Sequence, residues 1–441
     1  MKRWPVVPFI FLLIGVPATP GLTQSWAFSP ALIDPARQAG SAVQGGFGWT
    51  RIATNDTGAA VNYVTLTLNP EIRVGKVGVG LTIDVLVNTR NDPGGSRIRQ
   101  TELRPGHLLR YARYGQPDDP WYAQVGAFDR VTLGHGFILS RYSNQVADQS
   151  RRIGAGLKVS GQHGGIEALT NNLGAREIYG ARAFFRPLAE RPDDLLLRRL
   201  TIGSTLVIDE NPGRGRTRRP AQSTEIFGLD IELPLLETAL LDVMSYGDFA
   251  KILDYGQGGA IGVSLRVKHL SKVLTLTGRL EEQILGREFM TEFFDATYEV
   301  ESVLASGATK TDRLRGLPGT RGVMGELGGV ILGRLAVVGQ YRAYGGRDSS
   351  GVLHAEARLL NVIPRMTLRA SYDKKGVRRL SDLRTLDERS VVLAEANYRM
   401  ASFLLVGLEY RWTFVFDDRP HFQVYRPQER FFPKVLFEYA F

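Results

Sequence analysis

From about residue 40 onward, apolar side chains return at every second position, over runs of about ten residues. Val77, Val79, Leu81, Ile83, Val85 and Val87 share one side of an extended segment, with Gly78, Gly80, Thr82 and Asp84 on the other. Ile261, Val263, Leu265 and Val267 oppose Ser264, Arg266 and Lys268. Leu335, Val337 and Tyr341 oppose Arg334, Gln340 and Arg342; Leu353, Ala355, Ala357 and Leu359 oppose His354, Glu356 and Arg358. Met366, Leu368, Ala370 and Tyr372 oppose Arg365, Thr367, Arg369 and Asp373, and Leu404 to Trp412 repeats the pattern against Glu409 and Arg411. Side chains on a strand alternate faces, so each run predicts a strand with one apolar and one polar face.

Two properties set these runs apart from the strands of a soluble sandwich. Their length suits a tilted crossing of a bilayer, whereas soluble strands run about five or six residues. Their connections also alternate in length. Short ones fall near Pro70, Pro117, Gly165, Pro234, Leu270, Gly333, Pro364 and Met400. Long polar ones fall near Asn91 to Arg99, Asp129 to Ser150, Asp209 to Ala221, Gly286 to Arg321, Lys374 to Glu388 and Asp417 to Gln428. Short turns on one side and long loops on the other are the habit of outer-membrane barrels.

The last stretch is FFPKVLFEYAF, Phe431 to Phe441. Val435, Phe437, Tyr439 and Phe441 share a face, and the chain closes on an aromatic residue. This ending resembles the C-terminal strand of bacterial outer-membrane β-barrels. The resemblance implies that Phe437, Tyr439 and Phe441 form the signal read by the barrel assembly machinery of that membrane. The expected fold is all-β: a transmembrane, antiparallel, up-and-down barrel of about 20 strands, within a range of 16 to 22. The alternative for the last stretch alone is an edge strand of a soluble sandwich. The expected location is the outer membrane of a Gram-negative-type envelope, with a homotrimer left open.

Lys2 and Arg3, an apolar run from Val6 to Val16 and small residues after it predict a secretory signal, cleaved after Ala18 or Ala27. Residues 28–441 then form a single barrel domain with a short polar lead-in from Asp34. The absence of cysteine among 441 residues excludes disulfides, thiolate metal sites and a cysteine nucleophile. Mean hydropathy is −0.12, which suits a barrel whose inner face is polar. The formal charge of +10 becomes +8 without Lys2 and Arg3.

If the apolar face meets lipid, the polar face lines a lumen. Arg182, Arg266, Arg279, Arg342, Arg358, Arg365, Arg369 and Arg411 are the expected pore-lining cations. Low-dielectric walls focus such a field on anions, although cross-strand pairing with the acids of the same face would absorb part of it. The segment Asp129 to Ser150 is apolar for an exposed loop. It predicts either a constriction built on Leu133, His135, Phe137, Arg141 and Tyr142 or a strand extension above the membrane. The constriction is what porins, similar in general architecture, would imply. Residues 287–303 carry Phe289, Phe293, Phe294 and Tyr298, and suit an outer flap, an inward plug or one more hairpin. The loop Asn211 to Pro220, with Arg214, Arg216, Arg218 and Arg219, reads as a solvated loop or a contact to phosphate groups of surface lipid.

No enzyme chemistry is expected. The six histidines show no metal-site spacing. His135 with Ser140 or Ser143 lacks the pattern of an outer-membrane phospholipase. The glycines from Gly256 to Gly262 lead into a strand, whereas a dinucleotide loop needs a helix N-terminus. No cofactor, metal or nucleic-acid partner follows. The expectation is passive passage of small polar, anion-leaning solutes. The alternatives are a dedicated channel for a hydrophobic solute or an anionic polysaccharide, and a non-conducting structural or assembly barrel.

Overall fold

The computed structural model describes residues 41–54, 60–88, 98–100, 108–117, 119–128, 130–146, 152–190, 197–213, 222–270, 273–303, 307–346, 350–360, 362–417 and 424–440. Twenty-two extended segments join in one antiparallel sheet. Two strands are each split in two, so the barrel has twenty strands. In chain order they are β1 (Ala42–Thr54), β2 (Ala60–Val74), β3 (Val77–Leu81 and Ile83–Val87), β4 (Ile98–Gln100 and Leu109–Tyr114) and β5 (Trp121–Gly126). Next come β6 (Gly154–Ser160), β7 (Gly164–Thr170), β8 (Ile178–Phe185), β9 (Thr201–Asp209) and β10 (Thr224–Glu237). Then follow β11 (Leu241–Ile252), β12 (Gln257–Leu270), β13 (Leu274–Leu285), β14 (Thr320–Ile331) and β15 (Leu335–Tyr344). The last are β16 (Gly351–Leu360), β17 (Met366–Val377), β18 (Ser390–Ala401), β19 (Leu404–Asp417) and β20 (Val424–Ala440).

Each strand pairs with its sequence neighbours. The last strand pairs with the first, Phe437 opposite Gly45 and Val435 opposite Phe47, so the sheet has no open edge. Closure matters in a bilayer, where an unpaired backbone N–H or C=O has no water to bond. The outward face is apolar and exposed: Phe47, Trp49, Leu66, Ile72, Phe227, Leu229, Ile261, Leu280, Val323, Leu327 and Phe437 all lie on it. A band of this kind on a closed barrel is a lipid-facing surface. The inward positions between them are buried and mostly polar, among them Thr65, Asp230, Glu232, Glu281, Gln283, Gln340 and Lys434. Among the described residues no helix is long and apolar enough to cross a membrane.

The long run from Val77 to Val87 is one strand, as its alternation predicts, but its ladder shifts register at Gly80 and Leu81. Several strands lack a clean alternation in the sequence, among them β1, β2, β6, β7, β11 and β14. The reason is visible on β11 and β14, whose inward positions include buried Met244, Ala250, Ile252 and Met324. Ala250 and Ile252 pack on the apolar material inside the barrel, so both faces are apolar there and the period-two contrast fades. The signal segment, Phe441 and Arg214, Arg216, Arg218 and Arg219 lie outside the described residues.

Candidate functional site

Two long connections fill the lumen from the side of the long loops. The first joins β5 to β6. Its residues 130–146 turn inward, with Gly134 and Gly136 at φ +56 and +87. A side chain at Gly134 would press on the Arg182 guanidinium, so glycine also permits the close approach to the wall. The tip is held by Leu133 N–H donating to Leu139 O at 3.1 Å and by a bridge between Val131 and Tyr142. The second connection, residues 286–319, joins β13 to β14. Leu139 and Phe294 form a parallel bridge between the two, with Ser140 N–H donating to Phe294 O and Phe294 N–H to Ile138 O.

The two segments share one apolar core. Leu133, Phe137, Ile138, Leu139 and Tyr142 of the first pack with Phe289, Phe293, Phe294, Tyr298 and Leu314 of the second. The core continues onto the inward faces of β7 to β13 through Leu169, Ile178, Val207, Ile226, Ile252 and Leu285. Phe293 and Phe294 meet edge-on with ring centres 5.2 Å apart, and Tyr298 lies 4.7 Å from Phe294. Of the alternatives the sequence leaves, the described residues of both segments take the inward one.

Charged groups pin this plug to the wall. Arg130 pairs with Glu356, and Arg141 donates to Gln340. His135 Nδ1 lies 3.0 Å from Asp248 and its Nε2 3.3 Å from Glu232, while Arg279 donates to the His135 carbonyl at 3.0 Å. Burial alone would lower the His135 pKa; the two carboxylates outweigh it and raise it to about 10. In the second segment Asp295 accepts from Lys375 of β17 at 2.7 Å and from Lys310 at 3.3 Å. Burial favours the neutral Asp295 carboxyl, but those two ammonium groups hold its pKa below the usual carboxylate range. Arg342 of β15 lies 2.7 Å from Glu292.

A cavity of about 780 Å³ remains beside the plug, toward the short-turn end. It is bounded by β2 and β4 to β8 on one side and by β14 to β18 on the other, with Pro117 and Leu360 at its lower rim. Nine Lys and Arg side chains line it: Arg110, Arg113, Arg130, Arg141, Lys158, Arg182, Arg279, Arg358 and Arg369. Six carboxylates do so: Glu71, Glu167, Glu232, Glu326, Glu356 and Glu395. Tyr111 donates to Glu71 at 2.6 Å, and Arg110 and Arg113 stand over its ring at 5.2 and 5.0 Å. Many of the charges are paired, as cross-strand proximity favours: Arg182 reaches Asp230 at 3.0 Å and Glu232 at 3.2 Å.

Of the expected pore-lining cations, Arg182, Arg279, Arg358 and Arg369 border this cavity. Arg342 lies inward but is buried against Glu292 of the plug. Arg411 is inward and pairs with Glu409. Arg266 stands on β12 opposite Asp242, outside the cavity lining. Arg365 occupies the turn between β16 and β17 at φ +63 and is exposed, because a strand pattern read through Pro364 places the turn residue on a wall. Of the constriction residues, Leu133, His135 and Arg141 border the cavity, and Phe137 and Tyr142 sit in the plug core. The sequence gives no face to Arg110, Tyr111, Arg113 and Lys158, whose strands are short and interrupted. Among the described residues no group of three or more His, Asp or Glu side chains is arranged to hold a metal.

No family model matches this chain, and no curated protein does. Solved structures similar to it include OccK11 (OpdR) of Pseudomonas aeruginosa, 10% identical, covering 92% of this chain and 97% of that one with a TM-score of 0.32. OccAB3 of Acinetobacter baumannii is 11% identical over 92% of this chain and 100% of its own, with a TM-score of 0.33. Wzi of Escherichia coli, described as an outer-membrane carbohydrate-binding β-barrel involved in capsule assembly, is 12% identical over 92% and 85%, with a TM-score of 0.38. Likenesses this distant leave solute and activity to the chain's own residues. By its closure, apolar belt and loop asymmetry, the chain is a twenty-stranded transmembrane β-barrel of the bacterial outer-membrane type.

Proposed function

We propose that this barrel is a narrow channel for passive entry of small polar solutes, with anions favoured. The observation that carries the reading is the cavity beside the plug, with nine Lys and Arg side chains against six carboxylates on its lining. Its volume lies in the range of small-molecule sites, and its excess of guanidinium and ammonium groups concentrates anions between low-dielectric walls. Arginine forks at Arg358 and Arg369 suit carboxylate and phosphate geometry. In this reading Phe437, Tyr439 and Phe441 serve the assembly machinery.

The test is solute uptake by proteoliposomes holding the refolded barrel. Small organic acids enter faster than neutral sugars of equal size, and oligosaccharides too large for the cavity stay out. Equal exclusion of all of them contradicts the reading. A second reading, a non-conducting structural barrel, is favoured by the depth of the plug core, in which Phe293, Phe294, Leu139 and Tyr142 are fully buried.

A further inference from the structure

The connection between β17 and β18 does not rise freely above the barrel. On β17, Arg369 and Asp373 face inward: Arg369 borders the cavity, and Asp373 lies 2.7 Å from His354. Strand alternation therefore turns Tyr372 and Lys374 outward. On β19, Glu409 meets Lys434 in the lumen at 3.0 Å, so Trp412 also faces outward. These outward groups hold residues 378–389 against the exterior wall. Tyr372 Oη donates to Leu383 O at 3.0 Å, and Trp412 Nε1 donates to Asp387 O at 3.0 Å. Lys374, 1% exposed, donates to Thr385 O at 2.8 Å and Ser390 Oγ at 3.0 Å and pairs with Asp387 at 2.9 Å.

The strap thus lies outside the barrel, over the aromatic groups that end the lipid-facing belt on the long-loop side. It is built around a short 3-10 turn, Leu380–Arg384, whose start is fixed by Asp382 accepting from the backbone N–H of Arg378 at 2.8 Å and Arg379 at 3.0 Å. Away from the wall it presents Leu380, 84% exposed, among exposed Arg378, Arg379 and Arg384. Two of the three acids of the strap are engaged, Asp382 by backbone donors and Asp387 by Lys374 of β17, while Glu388 is exposed; within residues 378–384 the arginines outnumber the single acid three to one. Water is a poor partner for a bare leucine, whereas the boundary between headgroups and acyl chains accepts a leucine flanked by arginines.

We propose that residues 378–384 form a foot on the outer leaflet, with Leu380 entering the acyl boundary and Arg378, Arg379 and Arg384 binding phosphate groups of phosphorylated lipid there. Charge complementarity selects the partner, and the anchoring on Tyr372, Lys374 and Trp412 sets the height at which it is met.

The full-length barrel is reconstituted in phosphatidylcholine vesicles containing either phosphorylated lipid A or the same lipid with its phosphates removed, and the lipid retained on purification is quantified. Each interfacial arginine contributes roughly a fivefold factor. The combined Arg378→Gln, Arg379→Gln, Arg384→Gln protein therefore retains at least about tenfold less phosphorylated lipid A than the parent. Removal of the phosphates lowers the parent's retention to a similar degree. Because the chain has no cysteine, Leu380→Cys accepts one polarity-sensitive dye, whose emission shifts to the blue in lipid A vesicles. All four positions are exposed, so folding is preserved, as judged by heat-modifiable mobility. Equal retention by parent and variant, retention indifferent to phosphate, or a dye reporting bulk water overturns the proposal.

Discussion

The His135 ring stands between two carboxylates of the barrel wall, with Asp248 Oδ1 3.0 Å from Nδ1 and Glu232 on the other nitrogen. A neutral imidazole has one N–H and can satisfy only one of them; the doubly protonated ring satisfies both. The inward segment is therefore tied to the wall by a buried charge, and that tie makes the plug testable.

Replacing this cation with a neutral group leaves Asp248 and Glu232 facing each other in a buried site. Breaking such an arrangement costs roughly 3–5 kcal/mol. His135→Gln is expected to loosen residues 130–146, raising conductance and its fluctuations while the barrel still migrates as folded. Unchanged single-channel traces would show that the segment is held by its apolar contacts alone.

The same tie has a pH dependence of definite sign. The folded pKa, about 10, lies above the ordinary value of 6.5. The stabilisation is complete below pH about 6.5 and fades as pH rises through about 10. Recordings taken at rising pH are expected to become noisier across that window in the parent and to stay level in His135→Gln.

Phe294 is fully buried where the two inward segments meet. Phe294→Ala removes the ring from both, at a local cost of about 3–5 kcal/mol. Cleavage of the 286–319 segment by added protease is expected to accelerate strongly, with the strands themselves untouched. A cleavage rate equal to the parent's would place the cohesion of the plug elsewhere.

Arg113 and Lys158 face the cavity from β4 and β6. Arg113→Gln with Lys158→Gln is expected to move the zero-current potential in a salt gradient toward the cation side, with thermal stability changed by less than about 1 kcal/mol. A fixed potential would mean that the permeant ion does not pass this wall.

Phe437 and Tyr439 point outward from the closing strand and are exposed to the bilayer side. Their polar replacement, Phe437→Ser with Tyr439→Ser, is expected to reduce insertion in cells severalfold while refolding in detergent remains efficient. Equal losses in both settings would assign these residues to stability and not to recognition.

The barrel was legible because its rule is local. Alternation at Ile261 to Val267 or Leu335 to Arg342 needs nothing but a strand with lipid on one face and water on the other. The rule fails where a third environment enters. Ala250 and Ile252 point inward yet are apolar, because Phe137, Phe289 and their neighbours occupy that part of the lumen. Only a fold that brings residues 130–146 to 286–319 explains them, and no short window of sequence carries that information. Tyr372 and Trp412 fall on the outward face, as their alternation predicts, but a polar loop between two strands carries no sign of the strap that covers them. Arg365 differs from its pattern for a simpler reason: a turn residue continues the parity of the strand beside it.

Single-channel recording in a planar bilayer with a salt gradient tests the central claim most directly. The account predicts small, steady conductance steps, because the plug narrows the route to the cavity beside it, and a zero-current potential on the anion side. A correctly folded barrel that stays silent, or one that selects cations, contradicts it.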